Sequence, residues 1–258
     1  MKIFIANFNR ASTGLLIKLQ SAMKKMDMLT NNYVLADYIL AVGDRIETFD
    51  FCLQIFRENK KVIHLWAGEI SQGTHDEVYR HSLTMMSMMQ LCTDKKSFKR
   101  VKMLCKAIDK KPNAFIIGNM ALDDMETFEN SREHKYNLVL YNPPTNYSRE
   151  EVQKENAELE QSLINEGIDY LWIEPNGDAN SDVIKYNIKN QDRKTFLTLM
   201  KYCEKFYTNS SCATYEAPFL LKLEQIIHVG ERNKNREQGD IKIGNSTEKI
   251  IKIFEGLQ

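Results

Sequence analysis

Phe206-Tyr-Thr-Asn-Ser-Ser-Cys-Ala-Thr-Tyr-Glu-Ala-Pro218 is the stretch on which the fold turns. Its apolar opening, Lys205 to Thr208, has the length and side chains of a buried strand and stops at Asn209-Ser210-Ser211. A helix is expected to open there, from Cys212 to Leu220, with Glu216 on its second turn. A strand ending in small hydroxyl residues at a helix N-terminus is an anion site, because free backbone N–H groups and the positive end of the helix dipole converge on it. A carboxylate about one turn further in can accept hydrogen bonds from sugar hydroxyls. The element reads as a seat for the diphosphate and ribose of a nucleotide sugar, with the rest of the chain building the opposite wall.

Working outward, the same strand-then-helix unit recurs along the chain. Short apolar runs suited to buried parallel strands occur at Lys2–Phe8, Tyr38–Val42, Lys61–Trp66, Gln90–Thr93 and Ala114–Ile117. Helical spacing lies between them: Leu15 to Met26 (Leu16, Leu19 and Met23 on one face), Ile46–Asn59 (Phe49, Leu53, Phe56), a Met-rich His75 to Met89, and a basic Lys95–Lys111. Ala121 to Lys135 is polar and aperiodic and reads as a linker. A second alternation follows, with strands at Tyr136–Tyr141, Tyr170–Ile173, Lys205–Thr208, Gln225–Val229 and Asp240–Ile243. Its helices are expected at Ser148–Asn165, Gln191–Cys203, Cys212–Leu220 and from Thr247. The expected fold is α/β, two Rossmann-type domains facing each other across a cleft lined by the carboxyl ends of the strands. Residues 1–125 form the first domain and 126–258 the second.

Bulk properties narrow the class. The 258 residues carry 35 basic and 35 acidic side chains, so no global charge advertises a nucleic acid or a membrane. No apolar run reaches the roughly 18 residues a membrane span needs, and MKIFIANFNR is too short for a signal segment. The five cysteines (Cys52, Cys92, Cys105, Cys203, Cys212) are scattered with no C-x-x-C, as buried or free thiols of a reducing compartment would be. A cytoplasmic location is expected, the host cytoplasm if the chain is phage-encoded.

Open parallel sheets present their chemistry at strand ends. The polar residues there are Arg10, Asp44, Glu69, Asp76, Glu77 and Arg80 in the first half. In the second half they are Asn142, Asn176, Asp178, Asn209, Ser210, Ser211, Glu216, Arg232 and Arg236. The first set supplies carboxylates for acid–base chemistry and the second supplies partners for phosphates and hydroxyls. Many such residues only cap helices, and Asp76-Glu77 suits a helix start on dipole grounds alone. His64, inside an apolar strand, reads as a hydrogen-bonded core residue, and Met85, Met86, Met88 and Met89 as core filling. His75 and His81 are six apart and do not share a helix face, no D-x-D motif ends a strand, and phosphate-loop and dinucleotide glycine motifs are absent. Metal-independent, cofactor-free chemistry is therefore expected.

Several stretches together resemble the hydrolysing UDP-N-acetylglucosamine 2-epimerase family, in particular its sialic-acid and legionaminic-acid branch. They are Arg10-Ala-Ser-Thr-Gly-Leu-Leu16, Val42-Gly-Asp-Arg45, His64-Leu-Trp-Ala-Gly-Glu69, Asp76-Glu-Val-Tyr-Arg-His81, Ile117-Gly-Asn119 with Ala121-Leu-Asp123, Pro175-Asn-Gly-Asp178, Asn209-Ser-Ser211 with Tyr215-Glu-Ala-Pro218, and Gly230-Glu-Arg232 with Arg236. The resemblance implies the GT-B fold. It puts Asp44, Glu69 and Glu77 on the family's catalytic carboxylates and Arg10 and Arg80 on its substrate-contacting arginines. It puts Ser210 and Ser211 on the diphosphate loop and Glu216 on the residue that binds ribose hydroxyls. The family's two-step reaction eliminates UDP to a glycal and then adds water.

Three departures stand against it. Tyr141-Asn-Pro-Pro144 has Asn142 where the family has a histidine, and an amide cannot replace imidazole in proton transfer. The family's Arg-Gln-x-Gly-Arg loop reads Arg232-Asn-Lys-Asn-Arg236. Between Met26 and Tyr38 only a few residues stand where the family has further strands and helices, so the first domain is shortened.

A shortened acceptor wall beside an intact UDP wall leads to the first functional expectation. It is a UDP-sugar-dependent glycosyltransferase acting on a large acceptor such as a hydroxymethylated base in phage DNA. The basic helix would supply the duplex contacts through Lys95, Lys96, Lys99, Arg100, Lys102 and Lys106, although such charge runs are usually just solvated faces. In that scheme one of Asp44, Glu69 or Glu77 is the general base, and Arg10, Arg232 or Arg236 stabilises departing UDP. The alternative is a shortened hydrolysing epimerase, which retention of all three carboxylates favours. A non-catalytic UDP-sugar-binding remnant comes third. A monomer and a homodimer are equally compatible with the sequence.

Overall fold

The computed structural model describes residues 1–71, 75–129, 134–234, 236 and 244–257, apart from the side chains of Arg10 and Ala11. The chain divides into two compact units. Unit 1 comprises Met1–Ile70, Asp76–Asp124 and Glu237–Gln258, and unit 2 comprises Ser71–His75 and Met125–Arg236.

In unit 1, strands β1 (Ile3–Ala6), β2 (Tyr38–Val42), β3 (Lys61–Leu65), β4 (Met89–Cys92) and β5 (Ala114–Ile116) form one parallel sheet in that order. All five residues of β2 are buried, as expected of a central parallel strand. Side chains alternate between two layers. Ile3, Leu40, Val42, Ile63, Leu65 and Leu91 face one core, shared with α1 (Arg10–Lys25) and α9 (Ser246–Glu255). Ala6, Ile39, Ala41 and Val62 face the other, with α2 (Ile46–Arg57) and α3 (Asp76–Met86). α4 (Lys95–Ala107) packs Val101 and Cys105 on Cys92 and Ala67, the residues of that second layer nearest β5.

A single parallel bridge, Ile3 with Leu29, lies outside β1. The Ile3 N–H donates to Met28 at 2.7 Å and the Thr30 N–H to Ile3 at 3.0 Å. The chain thus runs outward from β1 through α1 to this one-residue strand, then returns past β1 to start β2. Winding therefore reverses between β1 and β2, and the crevice of a doubly wound sheet opens at that reversal.

Unit 2 repeats the plan with β6 (Asn137–Leu140), β7 (Tyr170–Trp172), β8 (Phe206–Thr208) and β9 (Ile226–His228), all parallel, in the order β7-β6-β8-β9. α5 (Arg149–Glu166) covers one face through Val152, Leu159 and Leu163, and α6 (Arg193–Lys201) the other through Leu199 and Met200. Its reversal falls between β6 and β8.

Several expectations need correction. The C-terminal helix belongs by its contacts to unit 1 and not to a 126–258 domain: Ile250 and Phe254 are fully buried in the α1 core. It is pinned there by Asp123, whose carboxylate accepts from the Ser246 and Thr247 N–H groups at 3.0 and 2.7 Å. Met120, Ala121 and Leu122 are buried, so the supposed linker begins as packed structure. The Met-rich helix stops at Met86, and of the four clustered methionines only Met89, which lies on β4, is fully in the core. The buried stripe of α2 is Thr48, Cys52 and Ile55; of the expected residues Phe49 packs half-buried against the same core, Leu53 is half-buried and Phe56 is exposed. The expected Asp240–Ile243 strand lies outside the described residues. All five cysteines are buried free thiols, and burial pushes Cys52, Cys92, Cys203 and Cys212 up to about 12. No helix among the described residues is long and apolar enough to cross a membrane.

Candidate functional site

Asp44 and Glu69 lie in the loops that leave β2 and β3 in unit 1. Asp44 follows Gly43, which has φ +75°, at the reversal point. Glu69 follows Gly68, also at φ +75°, where a Cβ would run into the Ser97 carbonyl oxygen. Only glycine lets this loop press against the first turn of α4. Glu69 is then buried, and the Thr93 hydroxyl just past β4 donates to its carboxylate.

α3 turns Glu77, Arg80, His81 and Thr84 to one side at i, i+3, i+4 and i+7. Arg80 is only 1% exposed. Its guanidinium pairs with Asp44 and with Glu77 and donates to the Glu69 carbonyl at 3.2 Å. One buried cation therefore gathers all three expected catalytic positions, holding together two carboxylates that would otherwise repel. Arg80, expected to touch substrate, is buried and has its guanidinium engaged by the carboxylates of Asp44 and Glu77. The Arg10 backbone opens α1 beyond β1, and its side chain lies outside the described residues.

His64 locks the same turn from beneath. Its Nε2 is 2.7 Å from the Gly43 carbonyl and its Nδ1 3.0 Å from the Thr84 hydroxyl. Burial lowers its pKa to about 4, so at neutral pH the ring is uncharged, with Nε2–H donating to Gly43. The expectation of a hydrogen-bonded core histidine holds.

In unit 2 the strand ends meet in a ladder of asparagines. The Asn142 N–H donates to Asn209 Oδ1 at 2.8 Å, and Asn209 Nδ2 returns a bond to the Asn142 carbonyl at 2.6 Å. Asn142 Oδ1 accepts from the Asn176 N–H at 2.8 Å, and Asn233 Nδ2 donates to the Asn209 carbonyl at 2.9 Å. Asp178, also buried, accepts from Asn176 Nδ2 at 2.6 Å and from Arg232 at 3.3 Å. Arg236 donates to Asn233 Oδ1 and to the Tyr215 hydroxyl, both at 3.0 Å. Asn142, Asn176, Asp178, Arg232 and Arg236, chosen singly from the sequence, form one network across the reversal point. Asn233, within the quoted Arg232–Arg236 loop, completes it.

The opening element is altered in detail. In place of one helix there are two four-residue turns, α7 (Cys212–Tyr215) and α8 (Ala217–Leu220), which join at Glu216. Pro218 has no N–H to continue the first. So short a helix has a weak dipole, which leaves direct hydrogen bonding as what the polar groups at Ser210 and Ser211 can offer an anion. Both serines are half-buried, the Ser210 N–H donating to Thr208 Oγ1 at 3.0 Å. Glu216 is buried against Arg193, 3.1 Å away. Burial raises its pKa, and the Arg193 guanidinium pulls it back. Nothing in the sequence marked Arg193, a first-turn residue 23 positions upstream. Thr93 was findable from its strand-end position.

On α4, Lys95, Lys96, Lys99, Lys102 and Lys106 are exposed. Arg100 is half-buried and donates to the Gly68 carbonyl, supporting the Glu69 loop. Of the expected apolar stripe, Val101 and Cys105 are buried, Phe98 is half-buried and Ile108 is exposed.

Fold and strand-end chemistry define an α/β protein of the GT-B type. The family model for UDP-N-acetylglucosamine 2-epimerase matches residues 6–258, and the chain belongs to that family. It is 27% identical over 266 aligned positions to polysialic acid biosynthesis protein P7 of Escherichia coli, covering 93% of this chain and 66% of that protein. It is 25% identical over 246 positions to the GDP/UDP-N,N'-diacetylbacillosamine 2-epimerase (hydrolyzing) of Campylobacter jejuni, covering 86% and 63%. The chain thus spans less than two-thirds of the length of these relatives. The Methanocaldococcus jannaschii UDP-GlcNAc 2-epimerase, solved in complex with UDP-GlcNAc and UDP, aligns over 99% of this chain and 100% of that one. Its TM-score is 0.74 at 18% identity, a likeness of fold.

These findings overturn the expected DNA glycosyltransferase. The family match is to epimerases along almost the whole chain, so the expectation of a phage DNA-modifying enzyme falls. With it falls the assignment of Lys95, Lys96, Lys99, Arg100, Lys102 and Lys106 to a duplex. The lysines form a solvated helix face, and Arg100 is engaged in the Glu69 loop.

Proposed function

We propose that the chain is a hydrolysing UDP-N-acetylglucosamine 2-epimerase, converting UDP-N-acetylglucosamine and water to UDP and N-acetylmannosamine. Within the family match, the observation that carries it is the gathering of Asp44, Glu69 and Glu77 around Arg80 at the strand ends of unit 1. In the first step a carboxylate of this group takes the C2 proton, the C1–O bond breaks and its electron pair leaves with UDP, giving a glycal. In the second, water adds its hydroxyl at C1, and C2 receives a proton on the opposite face. Arg232, Arg236, Ser210, Ser211 and Asn142 serve the diphosphate, with Asn176 and Asp178 holding Asn142 and Arg232 in place, while Glu216 binds the ribose hydroxyls. Asn142 acts here as a hydrogen-bond donor, so proton transfer falls to the carboxylates. No metal ion or other cofactor is assigned a role, and turnover should survive a chelator.

The test is incubation with UDP-N-acetylglucosamine in deuterated water without any acceptor. UDP release with deuterium at C2 of N-acetylmannosamine is expected. UDP release that requires an acceptor, or a product lacking deuterium at C2, overturns the mechanism. Turnover confined to a diacetylated UDP-sugar changes the substrate and leaves the chemistry standing.

A further inference from the structure

We infer that His81 is a positioning residue for Glu77, holding one oxygen of the carboxylate whose other oxygen faces Arg80; this rests on the epimerase reading above. The two oxygens of Glu77 are held by different neighbours on its own helix. Oε1 faces Arg80 Nη1, at i+3, and Oε2 lies 3.2 Å from His81 Nε2, at i+4. Arg80 is divided among Asp44, Glu77 and the Glu69 carbonyl, so its grip on any one of them is shared. The His81 contact holds the second oxygen and so helps to set the plane of the carboxylate.

The ring's hydrogen bonding sets which nitrogen carries the proton. A neutral imidazole has one N–H. His81 Nδ1 is buried and has no hydrogen-bond partner among the described residues. A proton there would be a buried donor without an acceptor, whereas on Nε2 it points at a carboxylate oxygen. The Nε2–H tautomer is therefore selected, and the imidazole acts as a fixed donor to Glu77. His81 itself is assigned no contact with substrate.

A carboxylate that moves a proton to or from carbon must keep one lone pair aimed at that carbon, and displacement of about 1 Å costs on the order of a hundredfold in rate. Loss of the His81 donor should therefore appear in kcat and leave KM nearly unchanged. The test compares wild-type protein with His81→Gln, His81→Asn and His81→Leu, reading kcat and KM for UDP-N-acetylglucosamine and the melting temperature of each. Glutamine carries its amide N–H about as far out as Nε2, whereas asparagine stops short at the position of Nδ1. His81→Gln should lose less than about fivefold in kcat, and His81→Asn and His81→Leu roughly ten- to a hundredfold, with KM within about threefold. The asparagine and glutamine variants differ only in reach, so their comparison stands even if the leucine variant fails to fold. Equal rates for His81→Gln and His81→Asn, or a loss confined to KM, overturn the inference. Wild-type protein without acceptor-independent turnover overturns the epimerase reading and the inference with it, an outcome distinct from an active wild type indifferent to His81.

Discussion

Replacing Arg80 by methionine tests whether one cation organises the carboxylates of unit 1. Methionine keeps most of the buried stem and deletes the guanidinium, leaving Asp44 and Glu77 side by side without their shared counter-charge. Removing one partner of a buried ion pair costs about 3–5 kcal/mol. Here the Asp44 and Glu77 side chains are 21 and 28% exposed, so solvent screens part of the loss and the lower end, about 3 kcal/mol, is expected. For a chain of this size about 3 kcal/mol corresponds to a fall of roughly 6–12 °C in melting temperature. The measurement is thermal unfolding followed by circular dichroism at neutral pH. The triple variant Arg80→Met, Asp44→Asn, Glu77→Gln should recover at least half of the loss, because the cost comes from uncompensated charge. A single variant melting within about 2 °C of wild type, or a triple variant as unstable as the single, would refute the reasoning.

The remaining expectations concern single contacts. His64 takes a proton near 6.5 when unfolded but only near 4 when folded, so its contribution to stability is intact above about pH 6.5 and lost as pH falls towards 4. The loss totals about 3 kcal/mol, and denaturant titrations of His64→Asn should lack that slope. Gly68→Ala drives a Cβ into the Ser97 carbonyl at a positive φ and should cost about 1–3 kcal/mol. It should cut turnover far more than UDP affinity, as kinetics beside calorimetry would show. Arg193→Leu leaves Glu216 buried without its nearest cation, so burial keeps the carboxyl neutral to higher pH. Its UDP affinity, measured by calorimetry, should fall about tenfold at neutral pH and recover as pH rises; an affinity equal to wild type would remove Glu216 from the nucleotide site.

Strands and their ends were the legible part of this sequence, because a buried parallel strand is a short run of apolar residues stopped by polar ones. Leu16, Leu19 and Met23 also fall where helical spacing put them, each fully buried. What failed depended on neighbours distant in sequence. In α2 the small Thr48 and Cys52 take the fully buried positions against the sheet, where space is limited, while the larger Phe49 packs at their edge and Phe56 is exposed. Pro218 is a break visible in the sequence, since it has no N–H to continue the helix from Cys212. The return of α9 to unit 1 could not be read locally, since its apolar face suits either core. The resemblance put Arg80 on a substrate-contacting position, and only the fold shows its guanidinium buried against Asp44 and Glu77.

How far the first domain can be shortened follows from the same geometry. By the family resemblance, further strands and helices belong between α1 and β2, and here they are reduced to the Leu29 bridge and a return of a few residues. The bridge keeps α1 on the face opposite α2 and α3. Without it, β1, α1 and β2 would form a direct crossover opposite in hand to those through α2 and α3, an arrangement parallel sheets almost never adopt. Two hydrogen bonds at Ile3 thus preserve the reversal of winding between β1 and β2. Asp44 sits at that reversal, and Arg80 and His64 reach it from α3 and β3, elements the shortening does not touch. The domain can therefore lose outer strands while its carboxylate cluster stays in place, provided the last bridge beside β1 remains.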